Sequence, residues 1–261
     1  MQAVRAKKHL GQHFLHDKHI AERIVEGLPA DAYQNDLIEI GPGTGVLTQF
    51  ILQKKQSGFF GLDLDEESIN YLKQTYPDRA ESFIFCDFLK YPVETLVKAP
   101  FNIIGNFPYN ISSQIMFKVL EHKNNVKYVV GMFQKEVARR IAEKPGSKEY
   151  GILSVLLQAW FDIDYLFTVQ AGSFNPPPKV LSGVIRLKRN AVDKLDCDEK
   201  LFFQVVKTGF NQRRKTLRNA LKPILKGPME HALLDKRAEQ LSVADFVVLT
   251  QEVLKNQTTG S

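Results

Sequence analysis

The sequence predicts an α/β protein. A seven-stranded, mostly parallel sheet with an antiparallel last strand is followed by a small all-helical domain. Three observations predict it. Strand-like apolar runs alternate with helically periodic segments through the first two thirds of the 261 residues, the pattern of a sheet with helices on both faces. The last two strand-like runs are joined only by the proline-rich stretch 175–179, too short for a parallel crossover. Beyond Arg189 only helical periodicity remains, broken at Pro223 and at Gly227-Pro228.

In chain order, the apolar runs place strands at 36–40, 58–63, 82–86, 101–106, 126–133, 165–170 and 180–187. Between them, helical patterns fall at 21–28, 46–55, 66–75, 112–122, 135–143 and 152–160. Asp65 is placed to cap the 66–75 helix. The stretch 144–148, Lys-Pro-Gly-Ser-Lys, reads as an exposed loop, and 257–261 as a frayed tail. The expected organisation is a basic arm at 1–19, a sheet domain at 20–189 and a helical domain at 190–261.

Hydrophobic content of 44% and charged content of 25% are those of a soluble globular protein. The run 152–161 is too short for a membrane span and contains Gln158. The basic N-terminus lacks the apolar stretch of a signal peptide. Cys86 and Cys197 show no spacing pattern and read as reduced thiols of a cytoplasmic protein. The net charge of +6 is unevenly spread. Lys207, Arg213, Arg214, Lys215, Arg218, Lys222 and Lys226 follow one another with no acid among them. Arg214, Arg218 and Lys222, four residues apart, are expected to stack on one helical face, opposite Phe210, Leu217, Leu221 and Ile224. Arg5, Lys7, Lys8 and Lys18 form a second cluster, and Lys135, Arg139, Arg140, Lys144 and Lys148 a third. Any one of these can be a solvated surface; three on one chain favour a polyanionic partner.

Two motifs carry the chemistry. Gly41-Pro42-Gly43-Thr44-Gly45 follows the first strand and permits close approach of a ligand to the backbone. Asp63, at the end of the second strand, is spaced to hold ribose hydroxyls, and Asp87, after the third, to accept from an adenine amine. These residues alone leave open a NAD-binding unit or a plain tight turn. The turn Asn106-Phe107-Pro108-Tyr109 then follows the fourth strand. Its amide and a backbone carbonyl can accept the hydrogens of a planar amine, Pro108 fixes the turn, and Tyr109 can stack on a base. The combination points to methyl transfer onto the exocyclic amine of a base, with a simple X-Pro turn as the bland alternative. Phe174, heading Asn175-Pro176-Pro177-Pro178, is either part of a stiff connector or a second aromatic wall around an unstacked base. His9, His13, His16 and His19 lie in the basic arm with no cysteine and only Asp17 among them, so no metal site is expected. Arg213, Arg214 and Lys215 are candidate phosphate contacts.

The chain resembles the ribosomal small-subunit RNA adenine dimethyltransferases. The likeness is carried by Gly11-Gln12-His13-Phe14-Leu15, Glu39-Ile40-Gly41-Pro42-Gly43, Gly105-Asn106-Phe107-Pro108-Tyr109-Asn110-Ile111-Ser112 and Gln134-Lys135-Glu136-Val137. It continues through Tyr150-Gly151-Ile152-Leu153-Ser154-Val155, Phe174-Asn175-Pro176-Pro177-Pro178-Lys179-Val180 and Phe210-Asn211-Gln212-Arg213-Arg214-Lys215-Thr216-Leu217. The resemblance implies a Rossmann-like S-adenosyl-L-methionine-dependent methyltransferase sheet. It also implies dimethylation at N6 of two adjacent adenosines in the 3′-terminal hairpin loop of 16S rRNA, within an assembling small ribosomal subunit.

By the same resemblance, cofactor positions carry over to His13, Leu15, Gly41, Asp63, Asp87 and Asn106. The reading of the residues themselves puts catalytic positions on Asn106, Pro108, Tyr109 and Phe174, and RNA contacts on Arg213, Arg214, Lys215, Arg218 and Lys222. Asparagine is usual where this chain has His13, glutamate where it has Asp63, and leucine where it has Phe107. A monomer without metal is expected. The alternatives are a related resistance methylase acting on large-subunit RNA and a non-catalytic RNA-binding factor on the same fold.

Overall fold

The computed structural model describes all residues except 1–3, 5, 8–9, 55–56 and 260–261. Arg5, Lys8 and His9 of the basic arm therefore lie outside the described residues. The strands are β1 (Phe14–Leu15), β2 (Asp36–Ile40), β3 (Phe59–Asp63), β4 (Phe83–Phe85), β5 (Phe101–Asn106), β6 (Val126–Gln134), β7 (Phe161–Val169), β8 (Phe174–Asn175) and β9 (Ser182–Arg189). The α-helices are α1 (Lys18–Glu26), α2 (Thr48–Ile51), α3 (Glu66–Thr75), α4 (Ser112–Glu121), α5 (Lys135–Ala142), α6 (Ile152–Gln158), α7 (Glu199–Asn211), α8 (Leu217–Ala220) and α9 (Val243–Thr259). Two compact units result, residues 1–138 with 162–189, and residues 139–161 with 190–261.

The first unit is built on a seven-stranded sheet in the order β4-β3-β2-β5-β6-β9-β7. The pairs β2–β3, β3–β4, β2–β5 and β5–β6 are parallel, and β9 runs antiparallel to β6. The chain builds β3 and β4 to one side of β2, then crosses to place β5 on the other. The strand order reverses between β2 and β5, and a crevice opens at their carboxyl ends.

Several local devices fix this arrangement. Asp17 caps α1 by accepting from Ile20 N at 3.1 Å, and Asp65 caps α3 by accepting from Glu67 N at 3.2 Å. Phe107, where β5 gives way to the next turn, is buried edge-on against Phe133 with ring centroids 5.2 Å apart. Glycines make room for it. A Cβ on Gly131 would lie 2.3 Å from the Phe107 ring, and one on Gly105 2.7 Å from it.

Some expected boundaries shift. The helix expected at 46–55 shrinks to α2, because Gly43 and Gly45 at φ 53° and 83° hold residues 43–47 in a turn. β7 begins four residues before the expected 165, at Phe161.

The second unit packs α6, α7 and α9 together around Trp160, Phe202, Phe210 and Phe246. Trp160 meets Phe202 edge-on at 6.1 Å, and Phe210 stacks on Phe246 at 6.0 Å. It takes in residues 139–161, which strand–helix alternation alone assigns to the sheet. The single basic helix expected around Arg214, Arg218 and Lys222 does not form. α7 stops at Asn211, residues 212–215 turn, and α8 is followed by a 3₁₀ turn at Lys222–Ile224. The three cations therefore do not stack on one helix face. Nor is the tail frayed through Thr259. α9 buries Phe246, Leu249 and Val253, and Gln257 donates to Ile224 O at 2.7 Å. Among the described residues, no helix is long and apolar enough to cross a membrane.

Candidate active site

The crevice between the carboxyl ends of the strands is a cleft of about 180 Å³, roofed by residues 10–14 of the arm. Its floor is the glycine turn. Gly41 sits at φ 68°, a conformation that side chains disfavour, and its N–H donates to Leu62 O at 2.8 Å, tying β2 to β3. The nearest atoms to a Cβ there are 3.7 Å away, so the glycine keeps open space facing the cleft. A Cβ on Gly43 would come within 3.0 Å of the Phe14 ring, so the arm lies directly on the turn.

Three strand-end acids surround this floor. Asp63 is 9% exposed and accepts from Gly43 N at 3.2 Å and Asp65 N at 2.9 Å. Burial pushes its carboxyl up to about 6, against the pull of those backbone donors. Asp87 lines the cleft and accepts from Leu89 N at 3.0 Å. Glu39 is fully enclosed. Its Oε2 accepts from Thr48 Oγ1 at 2.6 Å and its Oε1 has no partner among the described residues. Burial pushes it up to about 8, so at neutral pH it is mostly the neutral acid.

On the other side stands the Asn106–Tyr109 turn. Asn106 lines the cleft; its Nδ2 donates to His13 O at 3.0 Å, which fixes the sense of the amide, and its Oδ1 has no partner among the described residues. The Tyr109 hydroxyl shares a 2.5 Å hydrogen bond with Ser182 Oγ, and burial raises its pKa. The Tyr109 ring stacks on the His13 imidazole at 5.6 Å and 29°. His13 Nδ1 lies 2.8 Å from Pro176 O. A carbonyl can only accept, so Nδ1 carries the proton.

The structure therefore brings His13, Gly41, Asp63, Asp87, Asn106, Pro108 and Tyr109 to one cleft. Two expected members are placed elsewhere. Leu15 pairs with Phe174 in the antiparallel β1–β8 ribbon, and each is 2% exposed. Leu15 borders only a small recess of about 20 Å³ beside Gly41. Phe174 does not line the cleft, and a ring with no free face cannot wall a base. Its place is in the core beneath the arm.

Sequence reasoning also missed the tethers of the arm. The Lys7 ammonium pairs with Asp65 and, at 3.2 Å, with Glu67, and Gln12 Nε2 donates to Asp65 at 3.2 Å. These contacts, like Ser182 with Tyr109, join residues distant in the chain and leave no local signal. His16 Nε2 lies 3.1 Å from Gly172 O, so His13 and His16 both contact the β7–β9 connection. Among the described residues, no group of three or more His, Cys, Asp or Glu is placed to hold a metal ion.

The RNA candidates divide. Arg213 donates to Lys148 O and, at 2.8 Å, to Tyr150 O, fastening the 144–150 loop. Arg218 pairs with Glu230 at 3.1 Å and Asp235 at 2.9 Å. Both are spent within the second unit. Arg214, Lys215 and Lys222 are exposed and form no ion pair among the described residues.

A switch-point cleft with an open glycine floor and strand-end acids suits a nucleoside-bearing cofactor. The Asn106 Oδ1, without a partner among the described residues, adds an acceptor for an amino group. Together with the Asn-Phe-Pro-Tyr turn, these features define an S-adenosyl-L-methionine-dependent methyltransferase. Solved structures show the same fold. A dimethyladenosine transferase from Plasmodium falciparum matches with a TM-score of 0.76 at 24% identity, over 95% of this chain and 98% of that one. The 23S rRNA methyltransferase ErmE matches with a TM-score of 0.64 at 22% identity, over 92% and 99%.

The model of the ribosomal RNA adenine dimethylase family matches residues 3–255, and the chain belongs to that family. It is an rRNA adenine dimethyltransferase whose cofactor is S-adenosyl-L-methionine. Proteins named ribosomal RNA small subunit methyltransferase A are similar throughout. That of Cytophaga hutchinsonii is 57% identical over 252 residues, covering 96% of this chain and 98% of its own. That of Bacteroides thetaiotaomicron is 54% identical over 268 residues, covering 100% and 99%.

Asp63 yields a prediction with a definite sign. Its folded pKa lies above its unfolded value, so ionising it opposes folding. The cost is absent below about pH 4 and fully present above about pH 6, where it amounts to about 3 kcal/mol. The melting temperature of the cofactor-free protein should fall across that window relative to Asp63→Asn, and the variant should bind S-adenosyl-L-methionine more weakly at neutral pH. Thermal melts and calorimetric titrations from about pH 4 to about pH 8 check both.

Proposed function

We propose that this enzyme dimethylates N6 of two adjacent adenosines in the 3′-terminal hairpin loop of 16S rRNA. It does so in the cytoplasm, as a monomer, on an assembling small ribosomal subunit. The observation that carries the reading is the Asn106 amide, held by the arm through its nitrogen in the cleft that Tyr109 also lines. The names of the similar bacterial proteins support the small subunit over the large one.

S-adenosyl-L-methionine supplies an activated methyl group on sulfonium sulfur. Asp63 would accept from its ribose hydroxyls and Asp87 from its adenine amine, with Gly41, His13 and Asn106 about the remainder. Aspartate is one methylene shorter than the glutamate usual at position 63, and its pull on the turn through Gly43 N keeps the floor close.

The target amine is a poor nucleophile because its lone pair is delocalised into the ring. Asn106 Oδ1 and the Phe107 carbonyl would each accept one of its hydrogens, favouring a more tetrahedral, more nucleophilic nitrogen. Pro108 holds these two acceptors in register. Tyr109, anchored through Ser182, offers the base the ring face that His13 leaves uncovered. A base reaches this position only when unstacked from its neighbours. The rate gain comes from positioning and from fixed dipoles, without a strong base. Arg214, Lys215 and Lys222 would contact phosphates, while Arg213 and Arg218 shape the surface that presents them.

The direct test is transfer of labelled methyl groups to small subunits lacking the modification, with large subunits in parallel, followed by nucleoside identification. Dimethyladenosine at two adjacent small-subunit positions is expected. Label confined to large-subunit RNA would assign the enzyme to the resistance branch.

Replacing Arg214, Lys215 and Lys222 together by glutamine should weaken RNA binding and lower its salt slope, by about 0.7–0.9 for each phosphate no longer neutralised. Arg213→Gln should chiefly lower the melting temperature. An unchanged salt slope in the triple variant would remove those residues from the RNA interface.

A further inference from the structure

We infer that Lys118 is a positioning residue for recognition of the cofactor's adenine, acting by setting the turn that aims Asp87. The inference rests on the reading of the cleft as an S-adenosyl-L-methionine site with Asp87 at the adenine amine.

Lys118 lies near the end of α4 and is only 8% exposed. A lysine is rarely so buried unless its charge is paired. Here no carboxylate among the described residues reaches it. Its Nζ instead donates to Leu89 O at 3.1 Å and Tyr91 O at 2.6 Å, and lies 5.3 Å from the centroid of the Phe88 ring. An ammonium has three N–H donors, and two carbonyls and a ring face account for all of them. All three partners belong to one short turn.

That turn starts at Asp87. Lys90 N and Tyr91 N donate to Asp87 O at 3.0 and 2.9 Å, and Leu89 N donates to Asp87 Oδ1 at 3.0 Å. The turn's own N–H groups thus hold the aspartate from one side, and Lys118 holds the turn's carbonyls from the other. Phe88, buried against the lysine, forms cleft wall next to the acid. The turn needs this outside support because β4, which delivers it, is a three-residue strand at the edge of the sheet. A methionine at 118 would fill similar space but leave two carbonyls without a donor. The lysine is explained by the turn it anchors, since packing alone would be served by an apolar chain.

The same helix opens beside the base-binding turn, where Ser112 Oγ donates to Tyr109 O at 3.2 Å. α4 therefore braces the target-base turn at its first residue and the cofactor-adenine turn near its last.

The test compares S-adenosylhomocysteine with its inosine counterpart, in which a carbonyl replaces the 6-amino group and cannot donate to Asp87. Calorimetric affinities are measured for wild type, Lys118→Met and Lys118→Arg in the full chain, together with turnover at saturating S-adenosyl-L-methionine. The wild type should prefer the adenine form by about tenfold or more, the worth of one charge-assisted hydrogen bond. Lys118→Met should lose most of that preference and raise the KM for the cofactor, with kcat within about threefold of wild type. Lys118→Arg should recover the preference.

Equal weakening of both ligands in Lys118→Met, with the preference intact, would reduce Lys118 to a purely structural role and overturn the inference. An unchanged affinity for both would do the same. A wild type that binds both ligands equally would refute the Asp87–adenine contact itself, and one that binds neither would refute the cofactor reading. If Lys118→Met does not fold, Lys118→Gln, which keeps a donor for one carbonyl, carries the same comparison.

Discussion

The hydrogen bond from Asn106 Nδ2 to His13 O holds the site together. It joins the end of β5, at the point where the strand order reverses, to an arm that would otherwise be a solvated N-terminus. With it in place, one amide serves two purposes. Its nitrogen fastens the roof of the cofactor cleft, and its oxygen is left as an oriented acceptor. An amide free to rotate would present donor and acceptor with similar ease, and reorienting it would cancel part of any gain in rate. The remaining tethers of the arm guard this bond. Lys7 and Gln12 hold on to Asp65, the ring of Phe14 lies on Gly43, and His13 is pinned between Tyr109 and Pro176. Each tether comes from a different part of the first unit, so the cleft is specified by the whole sheet rather than by one motif.

The same cleft gives up stability for function. Glu39 and Asp63 are carboxyls in an environment that disfavours their charge, as their raised pKa values show. Gly41, Gly43 and Gly45 spend backbone entropy on left-handed conformations. None of these choices helps the apo fold. Asp63 and the glycine turn are explained by a polar, hydroxyl-bearing ligand in the cleft they line, so ligand binding and stability are linked. Phe107 marks the opposite case, where a large buried ring is accommodated by glycines at 105 and 131 and locks the turn from within.

Much of this is legible in the sequence. The strand runs are visible because β2, β5 and β6 are continuous apolar segments, and the antiparallel β9 follows from the length of one proline-rich loop. The Asn106–Tyr109 turn and the acids at 63 and 87 are legible because strand-end position is itself a chemical signal. The failures share a physical cause. Residue type alone suggests outward roles for Phe174 and Arg213, yet burial and hydrogen bonding decide what a ring or a guanidinium can touch, and both are engaged inside the protein. The regular spacing of Arg214, Arg218 and Lys222 promises a helix face that the turn at 212–215 interrupts. Lys118 carries no signal, since the carbonyls it satisfies lie 27 and 29 residues away in the chain.

The central claim is that catalysis rests on the oriented oxygen of Asn106. Single-turnover methyl transfer by Asn106→Ala, with cofactor and small subunits both saturating, tests it most directly. The account predicts a rate at least about a hundredfold below wild type, the usual cost of losing one preorganised polar group at a reacting centre. The melting temperature should stay close to that of wild type, and the affinity for S-adenosyl-L-methionine should fall far less than the rate. A rate within about threefold of wild type under those conditions would contradict the account and move the site of amine activation away from this turn.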